Sequence, residues 1–313
     1  MTAPRPEPRI AVILPCYNEE AAISETVRGF RAALPQATVY VFDNNSGDRT
    51  MACAREAGAV VRSETRQGKG HVVRRMFADV DADIYVLADG DGTYESADAP
   101  ALVARLRGEQ LDMVVGSRLT TYEGEAFRRG HRFGNDLLTG FLGMCFGRTF
   151  TDILSGYRVF SRRFVKSFPA LSRGFEIETE LSVHALELRM PIAEVVTAYK
   201  ARTAGSASKL RTYRDGWRIL MMILNLFKRE RPLAFFSIIA GALALAALLL
   251  AYPIVITYVE TGLVPRFPTA ILATGLMILS SLSLTSGFVL DIVTHGRREM
   301  KRLAYLSIPP VDG

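Results

Sequence analysis

Along the first half of the chain, short apolar runs rich in β-branched residues alternate with stretches whose apolar positions recur at helical spacing. The runs are Ile10–Leu14, Val39–Phe42, Ala59–Val61, Ile84–Leu87 and Met113–Val115. After the first of them, Ile23, Val27, Phe30 and Leu34 recur every three or four residues, and Pro35 closes the stretch. Regular alternation of strand and helix predicts an α/β fold with a doubly wound, mostly parallel sheet. No internal repeat or low-complexity tract interrupts it.

The pattern changes toward the end. Leu233 to Val259 and Phe267 to Leu290 contain no Asp, Glu, Lys, Arg or His, and about 20 apolar residues suffice to cross a bilayer core. Two transmembrane helices are therefore expected. The link between them, Glu260 to Arg266, carries little positive charge, whereas Lys228-Arg-Glu-Arg231 and Arg297, Arg298, Lys301 and Arg302 flank the outer ends. The positive-inside rule then puts both ends, and with them the N-terminal domain, in the cytoplasm. Met1 to Arg9 is polar and Pro-rich and Ile10–Leu14 is too short for a signal-peptide core, so the domain is expected to stay on the side of synthesis. The implied organisation is a catalytic-size domain over 1–210, an amphipathic juxtamembrane helix over 211–231, a two-helix hairpin over 232–294 and a basic cytoplasmic tail over 295–313. Tyr213, Trp217, Leu220, Leu224 and Phe227 form the apolar stripe of the juxtamembrane helix, the pattern of a helix lying in the membrane interface. Ser280, Ser281, Ser283, Thr285 and Ser286 in the second span suit helix association, including a homo-oligomer.

Charge and cysteine content narrow the partners. The net charge is +6 and the pI is near 9.3, but the basic residues gather beside the spans and around Arg128 to Arg132. That distribution fits anionic membrane lipid, and no zinc-finger spacing or RNA-binding aromatic signature points to nucleic acid. Cys16, Cys53 and Cys145 are isolated, which excludes a Cys-x-x-Cys metal or disulfide framework and fits a reducing compartment.

In doubly wound sheets ligands bind beyond the carboxyl ends of the strands, so the residues just after each apolar run carry the candidate chemistry. These are Pro15-Cys-Tyr-Asn-Glu19, Asp43-Asn-Asn-Ser-Gly-Asp48 and Asp89-Gly-Asp91. Two carboxylates separated by one residue can be directed at one hard cation, Mg²⁺ or Mn²⁺, and Gly90 between them permits close approach of a phosphate. A second acidic run, Asp79-Val-Asp-Ala-Asp83, precedes its strand and reads as a helix end and turn. Gly68-Lys-Gly70 opens a helix and suits an anion, without the spacing of a Walker A loop. Arg118, Arg202 and Lys209 are further candidates to pair with phosphate.

With these residues in order, the chain resembles glycosyltransferase family two with a GT-A fold, in the branch of dolichyl-phosphate mannose synthase and bacterial polyprenyl-phosphate glycosyltransferases. The resemblance runs from about Ile10 to Leu210 and also rests on Gly116-Ser-Arg118, Thr151-Asp-Ile-Leu-Ser-Gly-Tyr-Arg158 and Gly205-Ser-Ala-Ser-Lys-Leu210. It implies that Pro15, Tyr17, Glu19, Val41 and Asp43 surround the base and ribose of a UDP- or GDP-linked nucleotide sugar, together with Lys69 and Gly90 on the donor. It implies that Asp89 and Asp91 hold the metal and that Arg118, Arg202 and Lys209 bind donor or acceptor phosphate. Arg132 is a further acceptor candidate, and Asp152 is expected to orient acceptor or sugar. Where many relatives have Leu-Gln after the Asp-x-Asp, this chain has Gly92-Thr93, which leaves the third metal ligand open.

The activity so implied is metal-dependent, inverting transfer of a hexose from a nucleotide sugar to a polyprenyl phosphate at the cytoplasmic face, in the service of a cell-envelope glycan. A polysaccharide synthase shares the domain but typically carries Gln-x-x-Arg-Trp, and the one tryptophan here, Trp217, follows Asp215-Gly216. A non-enzymatic membrane scaffold would predict eroded metal and phosphate residues, and most of them are intact.

Overall fold

The structure, a computed structural model, describes residues 7–118, 139–141, 143–144, 147, 150–174, 176–200 and 212–311. It divides into two compact units, Met1–Ile219 with Lys301–Gly313, and Leu220–Met300.

The first unit is built on strands β1 (Ile10–Cys16), β2 (Thr38–Asp43), β3 (Val60–Ser63), β4 (Ile84–Leu87), β5 (Met113–Ser117), β6 (Arg158–Ser161) and β7 (Ile192–Val196). Among the described residues these form one seven-stranded sheet in the order β3-β2-β1-β4-β6-β5-β7. β6 alone runs antiparallel to its neighbours, β4 and β5, and every other pairing is parallel. The expected α/β architecture is thus present. The central strands β1 and β4 are apolar and almost wholly buried, as a sheet covered on both faces requires.

Helices α1 (Ile23–Ala33), α2 (Thr50–Glu56), α3 (Lys69–Asp79) and α4 (Ala99–Gly108) follow successive strands, and α5 (Arg162–Ser167) and α6 (Ile177–Glu187) follow β6. α1 buries Ile23, Thr26, Val27 and Phe30, a stripe at helical period, and the Phe30 ring meets Tyr157 edge-on at 6.2 Å. The acidic run at the end of α3 has the expected structural role: Asp79 pairs with Arg62 and Arg75, and Asp83 accepts from the Arg9 backbone.

Two strands, β6 and β7, lie outside the apolar runs of the sequence. β6 opens on Arg158, which is completely buried. Its guanidinium donates to the Ser155 and Ile153 carbonyls and to Ser182 Oγ, at 2.9, 2.5 and 2.9 Å. Burial pulls its pKa down to about 10, so it stays charged at neutral pH. A buried charge is tolerated when hydrogen bonds surround it. Here those bonds fold residues 153–155 back over the strand. β7 is only half-buried.

α7 (Thr212–Glu230) is followed by α8 (Pro232–Thr261) and α9 (Phe267–Leu306). The last two have hydropathy maxima of 2.6 and 1.8 and leave most of their surface uncovered, with 11% of each apolar window buried. A soluble core helix would be mostly buried; these are long and apolar enough to cross a membrane. Within the second unit Ser280 Oγ donates to the Ala240 carbonyl and Ser283 Oγ to that of Phe236. A Cβ on Gly287 would meet Phe236 at 3.0 Å, so small residues set the helix spacing. The hydroxyls of Ser281, Thr285 and Ser286 bond carbonyls of their own helix. The basic segment expected as a tail from residue 295 continues α9 to Leu306, and Lys301–Gly313 groups with the first unit. There Lys301 pairs with Glu187 at 2.6 Å, and the Tyr305 hydroxyl donates to Asp112 at 2.8 Å.

Gly68, which precedes α3, has φ +131°, and a Cβ there would lie 2.2 Å from the Arg173 carbonyl oxygen. Gly68→Ala is expected to cost at least ~1–3 kcal/mol, read as a lowered unfolding midpoint of the detergent-solubilised chain. An unchanged midpoint would mean that residues 172–174 shift without cost.

Candidate active site

The carboxyl ends of β1, β2 and β4 open on one side of the sheet, because these strands are parallel. At the end of β2, Asp43 is 2% exposed. Its Oδ2 accepts from the Ser46 backbone at 3.1 Å, while Oδ1 is buried with no hydrogen-bond partner. Asn44 ties this strand end to the next loop: its amide donates to the Glu64 and Arg66 carbonyls, and its Oδ1 accepts from Gly68 N–H at 2.7 Å. After β1, Asn18 exchanges hydrogen bonds with Ser46 and Gly47, and Glu19 N–H donates to Thr50. Pro15 lies at the end of β1, paired with Phe42, and Tyr17 and Glu19 lie on the loop beyond it, which is braced against the one that follows Asp43. Val41 is fully buried in the core, two residues short of the strand end.

Beyond β4, Asp89, Gly90 and Asp91 turn across the end of β1. A Cβ on Gly90 would lie 2.3 Å from Cys16 Sγ, so only glycine lets the two segments come this close. Asp91 is 5% exposed, and its Oδ1 accepts from both the Thr93 backbone and the Thr93 hydroxyl, at 3.2 and 2.6 Å. Thr93 therefore directs its proton at the carboxylate and holds it in place. Lys200 N–H donates to the Thr93 carbonyl, which brings the last described residue before segment 201–211 to this turn.

Lys69, expected on the donor, is held in an ionic cluster beside Asp89. Its ammonium lies 2.5 Å from Asp89 Oδ1 and 2.6 Å from Glu178 Oε1. Burial alone would depress its pKa, but the two carboxylates outweigh that and raise it. Gly156 walls this cluster: a Cβ there would meet Asp89 Oδ2 at 2.8 Å, and its N–H donates to the buried Tyr94 hydroxyl. Glu178 heads α6 and is 5% exposed; its Oε2 is buried with no partner.

Arg118, just after β5, grips Asp152 through two parallel bonds, Nε to Oδ2 at 2.7 Å and Nη2 to Oδ1 at 2.8 Å. This bidentate geometry is the strong form of the pair. Burial would raise the Asp152 pKa, yet the guanidinium overrides it and holds the carboxyl below its ordinary value. The Arg118 guanidinium also lies 5.5 Å from the Tyr199 ring centre, and the Glu194 carboxylate accepts from the Thr151 and Asp152 backbones. Asp152 is an anion tied to one cation, hence a positioning group for Arg118 and a poor proton acceptor. Arg132, Arg202 and Lys209 lie outside the described residues.

Sequence reasoning missed Glu178, Glu194, Tyr94 and Tyr199. Glu178 and Glu194 lie among ordinary helix and strand residues, where a lone glutamate carries no signal. Gly156, in contrast, sits inside the Ser-Gly-Tyr-Arg motif. A cavity of about 610 Å³, lined by Arg66, His71, Arg74 and Arg173 among others, lies beside α3.

Two hard carboxylates at one strand end suit a Mg²⁺ or Mn²⁺ ion that takes the rest of its shell from a diphosphate and water. Among the described residues no third His, Cys, Asp or Glu completes a set that would hold a metal by protein ligands alone.

A mostly parallel sheet with one reversed strand, an Asp-Gly-Asp turn beyond β4 and a buried aspartate closing β2 make up a GT-A-like arrangement. The family model for glycosyl transferase family 2 matches residues 11–168, and the chain belongs to that family. It is 32% identical to glycosyltransferase AglJ of Haloferax volcanii, covering 95% of this chain and 98% of that protein. It is 28% identical to a dolichyl-phosphate hexose transferase of the same organism, over 71% of this chain and 95% of that one. Among solved structures it resembles glucosyl-3-phosphoglycerate synthase of Mycobacterium tuberculosis in complex with Mn²⁺, uridine diphosphate and glucosyl-3-phosphoglycerate. That match has a TM-score of 0.57 at 25% identity and covers 72% of this chain and 80% of that one.

Asp152→Asn leaves the Arg118 charge without its partner and is expected to cost ~3–5 kcal/mol of stability at pH 7. Because the folded carboxyl titrates below its ordinary value of 3.8, the pair stabilises fully above about pH 4 and loses that contribution as pH falls further. Denaturation of both chains at pH 7 and pH 3 checks this: the gap should narrow in acid, and a constant gap would contradict the assignment.

Proposed function

We propose that this family 2 enzyme transfers a hexose, with inversion, from a UDP- or GDP-linked sugar to the phosphate of a polyprenyl lipid at the cytoplasmic membrane face. The carrying observation is the shared strand-end face on which Asp43 and the Asp89-Gly-Asp91 turn stand. Asp43 Oδ1, a buried acceptor with no partner, suits a base imide or amide N–H. Pro15, Tyr17 and Glu19 would border the base and ribose, and the Asp89-Gly90-Asp91 turn would face the diphosphate. Asp89 and Asp91 would hold the Mg²⁺ or Mn²⁺. When bound, that ion would neutralise charge developing on the departing nucleoside diphosphate.

The nucleophile supplies itself. A phosphate monoester has a second pKa near 6, so one of its oxygens can attack the anomeric carbon as an anion. The new bond forms between that oxygen and C1, the bond from C1 to the diphosphate oxygen breaks, and the configuration inverts. No protein base is needed, which agrees with Asp152 being committed to Arg118. Arg118, with Arg132, Arg202 and Lys209, would hold the donor and acceptor phosphates, and Lys69, paired with Asp89 and Glu178, would stand on the donor side.

The lipid acceptor is supported by the likeness to a dolichyl-phosphate hexose transferase and by the two apolar helices. A polyprenyl chain is costly to extract from the bilayer, so an anchored catalytic domain meets its phosphate at the surface. Basic flanks support the cytoplasmic orientation.

Incubation of the purified chain with Mg²⁺ or Mn²⁺, polyprenyl phosphate and a panel of UDP- and GDP-hexoses should yield glycosylated lipid by mass spectrometry. Asp91→Ala should lower kcat/KM by about 100-fold or more. No product from any donor, or full activity in the variant, would sink the proposal.

A further inference from the structure

The cavity beside α3 has a one-sided electrostatic character. Among the described residues every ionisable side chain that lines it is basic: Arg66, His71, Arg74 and Arg173. Arginines close by are neutralised, Arg75 of the same helix and Arg62 of β3 both pairing with Asp79. Arg66, Arg74 and Arg173 have no carboxylate partner among the described residues. Glu64 and Glu180 adjoin the walls but bind backbone N–H groups, Glu64 that of Arg66 and Glu180 those of Leu171 and Ser172.

One wall is rigid. The half-buried Arg74 donates through Nε to the Ala170 carbonyl at 2.9 Å and through Nη2 to that of Ser172 at 3.4 Å. Ala170 takes a left-handed φ of +46°, a conformation that costs energy for a residue with a Cβ. Arg74 Nη1 lies 3.4 Å from His71 Nδ1. Partial burial and the charges of Arg74, Arg66 and Arg173 hold the His71 imidazole below its ordinary value, with Glu64 opposing them. Cations crowded in this way repel one another until an anion joins them.

We propose that this cavity is a binding site for an organic phosphate, with Arg66, Arg74 and Arg173 as its phosphate ligands. Guanidinium pairs with phosphate are charge-assisted and often bidentate, and here the three come from the loop before α3, from α3 itself and from the segment leading to α6. A lone phosphate ion would fill little of about 610 Å³, whereas cavities of this size take small organic molecules. None of these residues belongs to the strand-end site, yet the walls adjoin its supports. Gly68 and Gly70 pack under the Arg173 and Ser172 carbonyls, and Lys69 between them pairs with Glu178. A phosphate held between Arg74 and Arg173 therefore braces α3 against the segment before α6.

The full-length chain in detergent, kept in EDTA so that no metal-held diphosphate contributes, is titrated calorimetrically with pyrophosphate, glucose 1,6-bisphosphate and dihexanoyl phosphatidic acid, with dihexanoyl phosphatidylcholine as the control. At least one phosphate probe should bind at about millimolar concentration or below and raise the unfolding midpoint. Binding of the soluble probes alone identifies a free organic phosphate, and binding of the phosphatidic acid alone a lipid headgroup; either result supports the site. Arg66→Ala combined with Arg173→Ala, at two exposed side chains, should leave transfer activity unchanged and weaken the probe by about tenfold or more. Arg173→Gln carries the comparison if the double variant fails to fold. No binding of any probe, or undiminished affinity in the variants, would overturn the proposal. The transfer assay plays no part in the titration, so failure of the transferase reading would leave this result intact.

Discussion

The site depends on one buried cation shared by two carboxylates. Lys69 at the start of α3, Asp89 beyond β4 and Glu178 at the head of α6 come from segments far apart in the chain, and their charges are tolerable in a covered site only together. Removing water from an unpaired ammonium or carboxylate costs several kcal/mol after relaxation, so any arrangement that separates them is penalised. The cluster thus selects the packing of α3 and α6 against the β4 terminus, and the glycines around it follow from that closeness. Gly68 and Gly70 lie under the Arg173 and Ser172 carbonyls, and Gly156 lies under Asp89.

A second ionic assembly repeats the logic on the other side of the reversed strand. Arg118 and Asp152 neutralise each other, Glu194 holds the backbone that presents Asp152, and buried Arg158 gathers the intervening carbonyls. β6 runs antiparallel between β4 and β5, so the chain leading into it passes both clusters. The motif Thr151 to Arg158 can be understood as the bridge between them: Asp152 serves one, Gly156 the other, and Arg158 fixes the path.

The second unit follows a different rule. Its two long helices leave large aliphatic and aromatic side chains uncovered along their length, and in water each square ångström of such surface costs about 25 cal/mol. A bilayer removes that cost. What holds the helices to each other is close approach at Gly287 and the hydroxyl bonds of Ser280 and Ser283, because hydrophobicity gives no preference between a lipid tail and a neighbouring helix.

Periodicity was enough to reveal the strands and helices around the first five apolar runs, since burial on both faces leaves an uninterrupted apolar signature, and enough to mark the two apolar helices. It also located Asp43, Asp89, Asp91 and Arg118, because polar residues that abruptly end an apolar strand are conspicuous. β6 stayed hidden because it opens on an arginine, and the burial of that charge depends on carbonyls supplied by the fold. β7 stayed hidden because an edge strand is half-exposed and its pattern is mixed. The pairing of Lys69 with Glu178, the clasp of Asp152 on Arg118 and the unpartnered oxygen of Glu178 are long-range facts. Charge pairing between segments distant in the chain leaves no local trace, so the tertiary structure alone decided which of the acidic and basic residues face one another.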